Sequence, residues 1–156
     1  MTDCDGELRS VSVPPGRVRA EHVRWMKNYA REIMAPAIAK VVERIAQPFV
    51  QAIIDTEVEK MAFGRVCLIG DGAFAVRPHA AAGTAKACAD AWTLHDALQN
   101  ADGDVLSALR AWEGPQLELG KRLLERTRII GNRSQFGDGW VPGDPSLRFG
   151  LYGPGE

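Results

Sequence analysis

The residues best suited to binding chemistry are Gly70 and Asp71, which follow the apolar segment 65–69. This segment predicts a short strand, and open α/β sheets bind ligands at the carboxyl ends of their strands. An ionised Asp71 can only accept hydrogen bonds, which suits ligand hydroxyl groups. Gly70 lacks a side chain and leaves room for a ligand to approach the backbone. The pair therefore predicts a site for a hydroxyl-bearing ligand.

The second half of this candidate site is the start of an Ala-rich helix that the pattern predicts over residues 84–99. The backbone N–H groups of Gly83, Thr84 and Ala85 would have no partner within the helix and would lie at the positive end of its dipole. A flavin matches both halves, because its ribityl chain carries hydroxyls and its pyrimidine ring gains negative charge on reduction. The same strand, Gly-Asp and helix also occur in α/β domains with a purely structural role, so the residues alone leave both interpretations open.

The segments before this site predict two helices and a strand. Apolar residues at spacings of three and four predict helices over 18–34 and 36–46, the second beginning at Pro36. Residues 49–56 (FVQAIIDT) are rich in β-forming types and predict a strand. The stripe expected to be buried on the second helix consists of Ile38, Val41, Val42 and Ile45.

The segments after the site predict helices followed by an irregular tail. Asp102 is expected to cap the next helix. Gly114 and Pro115 are expected to kink or break it before a second half over 116–130. From residue 131 onward, Gly and Pro are frequent and no periodicity remains, so we expect an irregular tail that needs a surface to pack against.

Composition excludes several classes of function. The chain has 156 residues, with Lys plus Arg 19 against Asp plus Glu 20, and this balance gives no electrostatic footprint for nucleic acid. No apolar run reaches the length of a membrane span, and the polar first residues are unlike a signal peptide. Three separated cysteines favour a reducing, cytoplasmic compartment over a disulfide framework, and no metal site is predicted.

Several single residues can be interpreted either as structural or as functional. Gln51 and Asp55 share one face of the expected strand, which is either a solvated face or the wall of a substrate cavity. His79 is either a partly exposed loop residue or a group that assists proton transfer. The side chains expected to be buried at helical or strand positions are Trp92, Trp112, Cys67 and Cys88.

The order of residues in the candidate site resembles a known motif. Gly70-Asp71-Gly72-Ala73-Phe74, then Pro78, Gly83, Asp90-Ala91 and Leu94, is similar to the second FAD motif of the single-component FAD-dependent aromatic-ring hydroxylases, in particular the subgroup that hydroxylates dihydroxypyridines. The resemblance covers roughly residues 5–130 and is specific between 48 and 98. Phe74, Gly72 and Ala85 stand where the family commonly has His, Ala and Asn. The backbone contacts of the motif do not need those side chains.

The resemblance implies an FAD cofactor and a role for each matching position. Asp71 would accept a hydrogen bond from a ribityl hydroxyl, and the N–H groups of Thr84 and Ala85 would meet the pyrimidine edge. Pro78 would lie against the isoalloxazine ring, with Gly70 and Gly83 giving the backbone close access. In this family of oxidoreductases, NAD(P)H reduces the flavin, which then uses dioxygen to hydroxylate an electron-rich ring in aromatic compound catabolism. The implied partner is a small aromatic substrate.

The sequence lacks the GxGxxG turn with which these enzymes hold the adenosine half of FAD. The chain therefore resembles the C-terminal part of an enzyme about three times larger. The expected division is a substrate-domain remnant at 1–60, the C-terminal part of a Rossmann-like FAD domain at 61–131 and an irregular tail at 132–156, giving an α/β, helix-rich fold. The expected partner is the missing FAD-binding part or a second copy. A non-catalytic remnant that acts as an interaction module stays open as the alternative.

Overall fold

The computed structural model describes residues 1–137, 141 and 143–153, and over this range the protein is helix-rich. The described part contains four α-helices, three short 3-10 turns and one two-stranded sheet. The chain divides into two compact units, Met1–Ile53 and Ile54–Glu156. None of the described helices combines the length and the apolar character needed to cross a membrane.

The first unit contains the helices α1 (Ala20–Ile33) and α2 (Pro36–Glu43). Both were predicted, and Pro36 occupies the first turn of α2 as expected, although α2 ends three residues earlier. The two helices pack against each other. Ala30 on α1 and Ala39 on α2 are the buried residues of the two helices.

The second unit begins with a minimal hairpin. The strands β1 (Ala62–Phe63) and β2 (Val66–Cys67) pair antiparallel, and Gly64 turns the chain between them with a φ of +64°. The strand expected over 65–69 is therefore formed only at its centre. It still delivers the chain to the Gly-Asp turn, as the sequence indicated.

The helices α3 (Gly83–Gln99) and α4 (Val105–Gln135) form the body of the second unit and pack against each other. The prediction of a helix over 84–99 is confirmed. On α4, Oε1 of Glu113 accepts hydrogen bonds from the backbone N–H groups of Met61 and Ala62 at 2.7 and 2.8 Å. This carboxylate fixes the start of the hairpin to the helix.

Two apolar clusters hold the loop between β2 and α3 in place. The first contains Met61, Ala62, Ala73, Phe74, Leu109 and Trp112, and the second contains Ala80, Ala82, Leu123, Ile130 and Leu147. The loop thus buries side chains near both of its ends, at 73–74 and at 80–82. Since the partners on α4 are large, the loop is positioned by packing as well as by its hydrogen bonds.

Three expectations about the first unit and α3 are wrong. Residues 49–56 do not form a strand and contribute only an isolated bridge from Val50 to Val13, because a β-rich sequence needs a neighbouring ladder to pair with. Most of the apolar stripe expected to be buried is exposed, with Val41 at 66%, and only Val42 is half-buried. Trp92 and Cys88 lie on the solvent face of α3, since the polar pair described below occupies its buried face.

The start of α4 also differs from expectation. Asp104 rather than Asp102 caps it, because the Asp104 carboxylate accepts a hydrogen bond from the Ser107 N–H at 3.1 Å. Asp102 belongs to the preceding turn and has a φ of +46°. Asp and Asn tolerate this conformation better than most residues, which explains an acidic residue at that position.

The break expected at Gly114 and Pro115 does not occur, and α4 continues through both residues. Pro115 has no N–H, so one intrahelical hydrogen bond is absent there. Trp112 and Gln116 are buried on either side of it. Packing of this face holds the helix together across the proline.

The tail is irregular in part, as predicted. Residues 132–135 complete α4, and a 3-10 turn follows at Pro145–Leu147. Leu147 is buried in the second apolar cluster, and the Gly150 N–H donates to the Ala80 carbonyl at 2.8 Å. The tail thus packs against the loop of the candidate site. The rest of the tail prediction, at 138–140, 142 and 154–156, lies outside the described residues.

Candidate functional site

The Gly-Asp turn is a 3-10 turn, Gly70–Gly72, whose first residue is buried and whose second is exposed. Gly70 has a φ of +55°, which is unfavourable for residues with a side chain. A Cβ at this position would lie 3.0 Å from the Cβ of Ala87 on α3. Glycine is therefore required both by the backbone conformation and by the close approach of the turn to the helix. The Asp71 carboxylate is left facing solvent.

The first turn of α3 lies next to that carboxylate. A Cβ built on Gly83 would be 4.0 Å from Oδ1 of Asp71. The helix has no side-chain cap and no acidic residue in its first turn, and its first capping bond runs from the Lys86 N–H to the Ala82 carbonyl. Within the described residues, the N–H groups of Gly83, Thr84 and Ala85 have no protein acceptor. The structure thus brings together the two halves of the predicted site.

The loop between these halves is built for close packing. Ala81 adopts a left-handed conformation with φ of +52°, and Ala82 is almost completely buried. Phe74, which replaces the commoner His of the motif, is buried, and a Cβ on Gly120 would lie 2.4 Å from its ring. Phe74 is therefore a packing residue that occupies the space left by a glycine on α4.

A buried ion pair lies between the turn and α3 and was not predicted. Lys86 and Asp90 are one helical turn apart, with side-chain exposures of 1% and 0%, and they form a salt bridge. The second oxygen of Asp90 accepts a hydrogen bond from the Gly70 N–H at 2.9 Å. The only sequence signal for the pair is its i, i+4 spacing, which usually marks a solvent-exposed pair.

A second group of charges surrounds Asp55. Its carboxylate accepts hydrogen bonds from Nε of Arg77 at 3.1 Å and from Nε of Arg128 on α4 at 2.9 Å. Burial alone would raise the pKa of Asp55, but the hydrogen bonds from Arg128 and Arg77 outweigh it and the pKa is lowered. The adjacent Thr56 exchanges backbone and side-chain hydrogen bonds with Ala75, at 2.9 and 3.1 Å. Segment 55–56 is thus tied to the site loop.

The remaining residues of the predicted site, Pro78, His79 and Gln51, lie apart from the Gly-Asp turn and the start of α3 in the sequence. Pro78 is exposed at the start of the 3-10 turn Pro78–Ala80. The imidazole of His79 packs against α4, where a Cβ on Gly131 would lie 2.7 Å from Nδ1, and this buried nitrogen has no hydrogen-bond partner among the described residues. Gln51 is exposed and belongs to the first unit.

Comparison with known proteins shows which proteins this chain is similar to. A family described as FAD binding domain-like matches residues 1–55. The curated relatives are ring hydroxylases, including 3-hydroxybenzoate 6-hydroxylase of Klebsiella oxytoca, which is 36% identical over 74 residues, or 47% of this chain and 19% of that protein. The structure of Klebsiella pneumoniae HpxO complexed with FAD and uric acid has the same fold over 77% of this chain and 32% of that chain, with 21% identity and a TM-score of 0.63. The chain is homologous to part of the FAD-dependent aromatic-ring monooxygenases.

Two further matches cover nearly the whole of this chain. The 2,6-dihydroxypyridine 3-monooxygenase of Paenarthrobacter nicotinovorans is 36% identical over 151 residues, which is 97% of this chain and 38% of that protein. The solved structure of 2,6-dihydroxypyridine-3-hydroxylase from Arthrobacter nicotinovorans matches all of this chain and 39% of its own, with 35% identity and a TM-score of 0.81. The chain therefore spans well under half the length of these relatives, and the resemblance inferred from the Gly-Asp motif is confirmed.

Proposed function

We propose that this chain supplies the ribityl and pyrimidine-edge contacts of an FAD-dependent ring monooxygenase. The observation that carries the proposal is the convergence of the exposed Asp71 carboxylate with the uncapped start of α3, near Gly83. A carboxylate suits the hydroxyls of a ribityl chain, and unpaired N–H groups at a helix N-terminus suit negative charge. Both kinds of group are available to a ligand at this point of the fold.

Each residue has a defined part in the proposal. Asp71 accepts a hydrogen bond from a ribityl hydroxyl, and Thr84 and Ala85 donate backbone N–H groups to the pyrimidine edge. Gly83 keeps the backbone accessible, Gly70 gives the turn the conformation that presents Asp71, and the exposed Pro78 contacts the ring. When bound, FAD supplies electron transfer from NAD(P)H to dioxygen. The dipole of α3 stabilises negative charge at the pyrimidine edge through preorganised groups.

The proposed organisation assigns residues 1–60 to a remnant of the substrate-binding domain and 61–131 to the C-terminal part of a Rossmann-like FAD domain, with 132–156 as its tail. The boundary between the two compact units, at Ile53 and Ile54, supports a division close to residue 60. The match of residues 1–55 to FAD binding domain-like sequences supports a flavoprotein origin for the first unit as well. Three free thiols at positions 4, 67 and 88 favour a reducing cytoplasmic location.

The proposed substrate class is a small, electron-rich, hydroxylated ring. The names of the relatives refer to dihydroxypyridine and hydroxybenzoate, and HpxO was solved with uric acid. Gln51, Asp55 and His79 are the proposed substrate-side residues. Of these, the carboxylate of Asp55 is already bound by two arginines, whereas Nδ1 of His79, which packs on α4, has no hydrogen-bond partner among the described residues.

The proposed partner is the polypeptide part that binds the adenosine half of FAD, and self-association is the second choice. A non-catalytic interaction module is the alternative function. Exposed apolar side chains favour it, among them Trp25 at 64% and Trp92 at 72%. Under both proposals the chain alone binds FAD weakly, because the adenosine site is absent from its sequence.

Residue-resolved NMR tests the flavin contact even when binding is weak. We expect FAD added at millimolar concentration to ¹⁵N-labelled chain to shift the amide signals of Asp71 and of residues 83–85. Asp71→Asn should reduce these shifts. The control Asp96→Asn changes an exposed side chain farther along α3 and should leave the shifts unaltered. Shifts confined to other regions, or equal responses in both variants, would contradict the proposal.

A further inference from the structure

The buried ion pair between Lys86 and Asp90 has no part in the flavin contacts proposed above. Burying two charges carries a desolvation penalty that their attraction often fails to offset, so such a pair is weak evidence for stability. Its best-supported role in proteins is to select one arrangement of the chain. We propose that Lys86 and Asp90 are positioning residues that hold the Gly70 amide and thereby direct Asp71 toward the start of α3. This inference rests on the proposed function, which gives Asp71 its ligand.

The contacts of Asp90 link the turn to the helix. One carboxylate oxygen accepts from the Gly70 N–H at 2.9 Å, and the other binds Nζ of Lys86. The two oxygens are therefore committed to different parts of the site, the backbone of the turn and the side chain of the helix. A charged acceptor makes a shorter and stronger hydrogen bond to a backbone amide than a neutral one.

The position of Asp71 follows from that of Gly70. Gly70 has a φ of +55° and lies so close to Ala87 that a Cβ on Gly70 would be 3.0 Å from the Cβ of Ala87. The hydrogen bond to Asp90 holds the turn in this conformation against α3. Asp71 is the next residue, and its Oδ1 then lies 4.0 Å from the Cβ position of Gly83. Releasing the Gly70 amide frees the turn that sets this distance.

Asp90 itself is fixed by its surroundings. The indole Nε1 of Trp112 on α4 donates to the Asp90 carbonyl at 3.1 Å and to the Thr93 hydroxyl at 3.0 Å. Nζ of Lys86 lies 5.3 Å from the centre of the Phe74 ring, within range of a cation–π contact. The pair thus connects the turn, α3 and α4, and Asp90 acts on Asp71 through the Gly70 backbone although Asp90 itself is not proposed to contact the flavin.

Two charge-balanced double variants separate positioning from stability. Lys86→Met with Asp90→Asn removes both charges but keeps an oxygen that can accept from the Gly70 N–H. Lys86→Met with Asp90→Leu removes the charges and the acceptor, and Asn and Leu are close in shape. The single variant Lys86→Met leaves an unpaired buried carboxylate and should lower Tm by about 10 °C. Both double variants should recover part of that loss, which circular dichroism measures.

The deciding measurement is made without flavin. We expect hydrogen exchange of the Gly70 amide to be roughly tenfold faster in the Leu variant than in the Asn variant, together with shifted Asp71 and Gly72 amide signals. With FAD added, the Asn variant should retain the response at residues 83–85 and the Leu variant should lose most of it. Equal Gly70 exchange and equal Asp71 signals in two folded double variants would overturn the inference. An absent FAD response in the unaltered chain would instead refute the flavin proposal alone, since the Gly70 measurement is independent of it.

Discussion

At the scale of single residues, Gly70 is the position where both the backbone conformation and the packing require glycine. Gly70→Ala would place a side chain at a φ of +55° and bring its Cβ to 3.0 Å from that of Ala87. The left-handed conformation alone costs about 1–2 kcal/mol for a residue with a Cβ. We expect the free energy of unfolding to fall by about 2 kcal/mol, measured by urea denaturation, and the FAD response at Asp71 to weaken.

Gly72→Ala is the matched control for this substitution. Gly72 lies in the same turn, but a Cβ there would meet no atom within 4 Å. Alanine should leave the free energy of unfolding within about 0.5 kcal/mol of its original value, as surface changes usually do. Equal losses in the two variants would show that the turn is insensitive to the contact with Ala87.

At the scale of elements, Asp55 ties segment 55–56 to both the site loop and α4. It accepts from Arg77, which precedes the proposed flavin-contacting Pro78, and from Arg128. Its pKa is lowered from 3.8, since the two arginines outweigh burial. The folded chain therefore binds fewer protons at Asp55 than the unfolded chain between the two pKa values, and stability rises with pH across that window.

Asp55→Asn tests this linkage. The stabilising contribution of Asp55 is fully present above pH 3.8 and is lost as pH falls through its lower folded pKa. The variant should be less stable than the original chain by about 2 kcal/mol at pH 7, the loss expected for charged hydrogen bonds. The difference should shrink as pH falls below 3.8. If the difference in stability between the variant and the original chain stays constant down to low pH, the effect comes from packing instead. Asp96→Asn, which changes an exposed side chain on α3, serves as the control.

The elements also show which parts of the fold the sequence could predict. The helix over 84–99 and the Gly-Asp turn were predictable, because composition and turn chemistry act locally. The strand predicted over 49–56 does not form, and the sequence could not reveal this, since strand formation depends on a pairing partner distant in sequence. The inward face of α3 was also missed: apolar periodicity placed Trp92 inside, whereas the pairing of Lys86 with Asp90 makes the polar face the buried one.

At the scale of the whole molecule, the chain exposes large apolar side chains, and it matches only part of the length of its relatives. Trp25 and Tyr29 stack with their ring centres 5.2 Å apart on the surface of α1, at 64% and 45% exposure, and Trp92 is exposed on α3. The chain spans 38% of the length of the Paenarthrobacter relative. Aromatic side chains of this size contribute strongly when they are buried at an interface. The proposed association with the polypeptide part that the match does not cover would bury such side chains.

Complementation tests that association together with the flavin site. We expect the chain mixed or co-expressed with the unmatched part of the Paenarthrobacter relative to form a complex that retains FAD through gel filtration, seen by its visible absorption. The chain alone should elute without stoichiometric flavin, because it lacks the adenosine site.

Asp71→Ala should still form the complex, since Asp71 lies outside the exposed aromatic surfaces, but should retain less flavin. Trp25→Lys should weaken the complex while leaving helix content unchanged. Tight FAD binding and NAD(P)H oxidation by the chain alone would contradict the proposed division of the site, and an unaltered complex in Trp25→Lys would remove α1 from the interface.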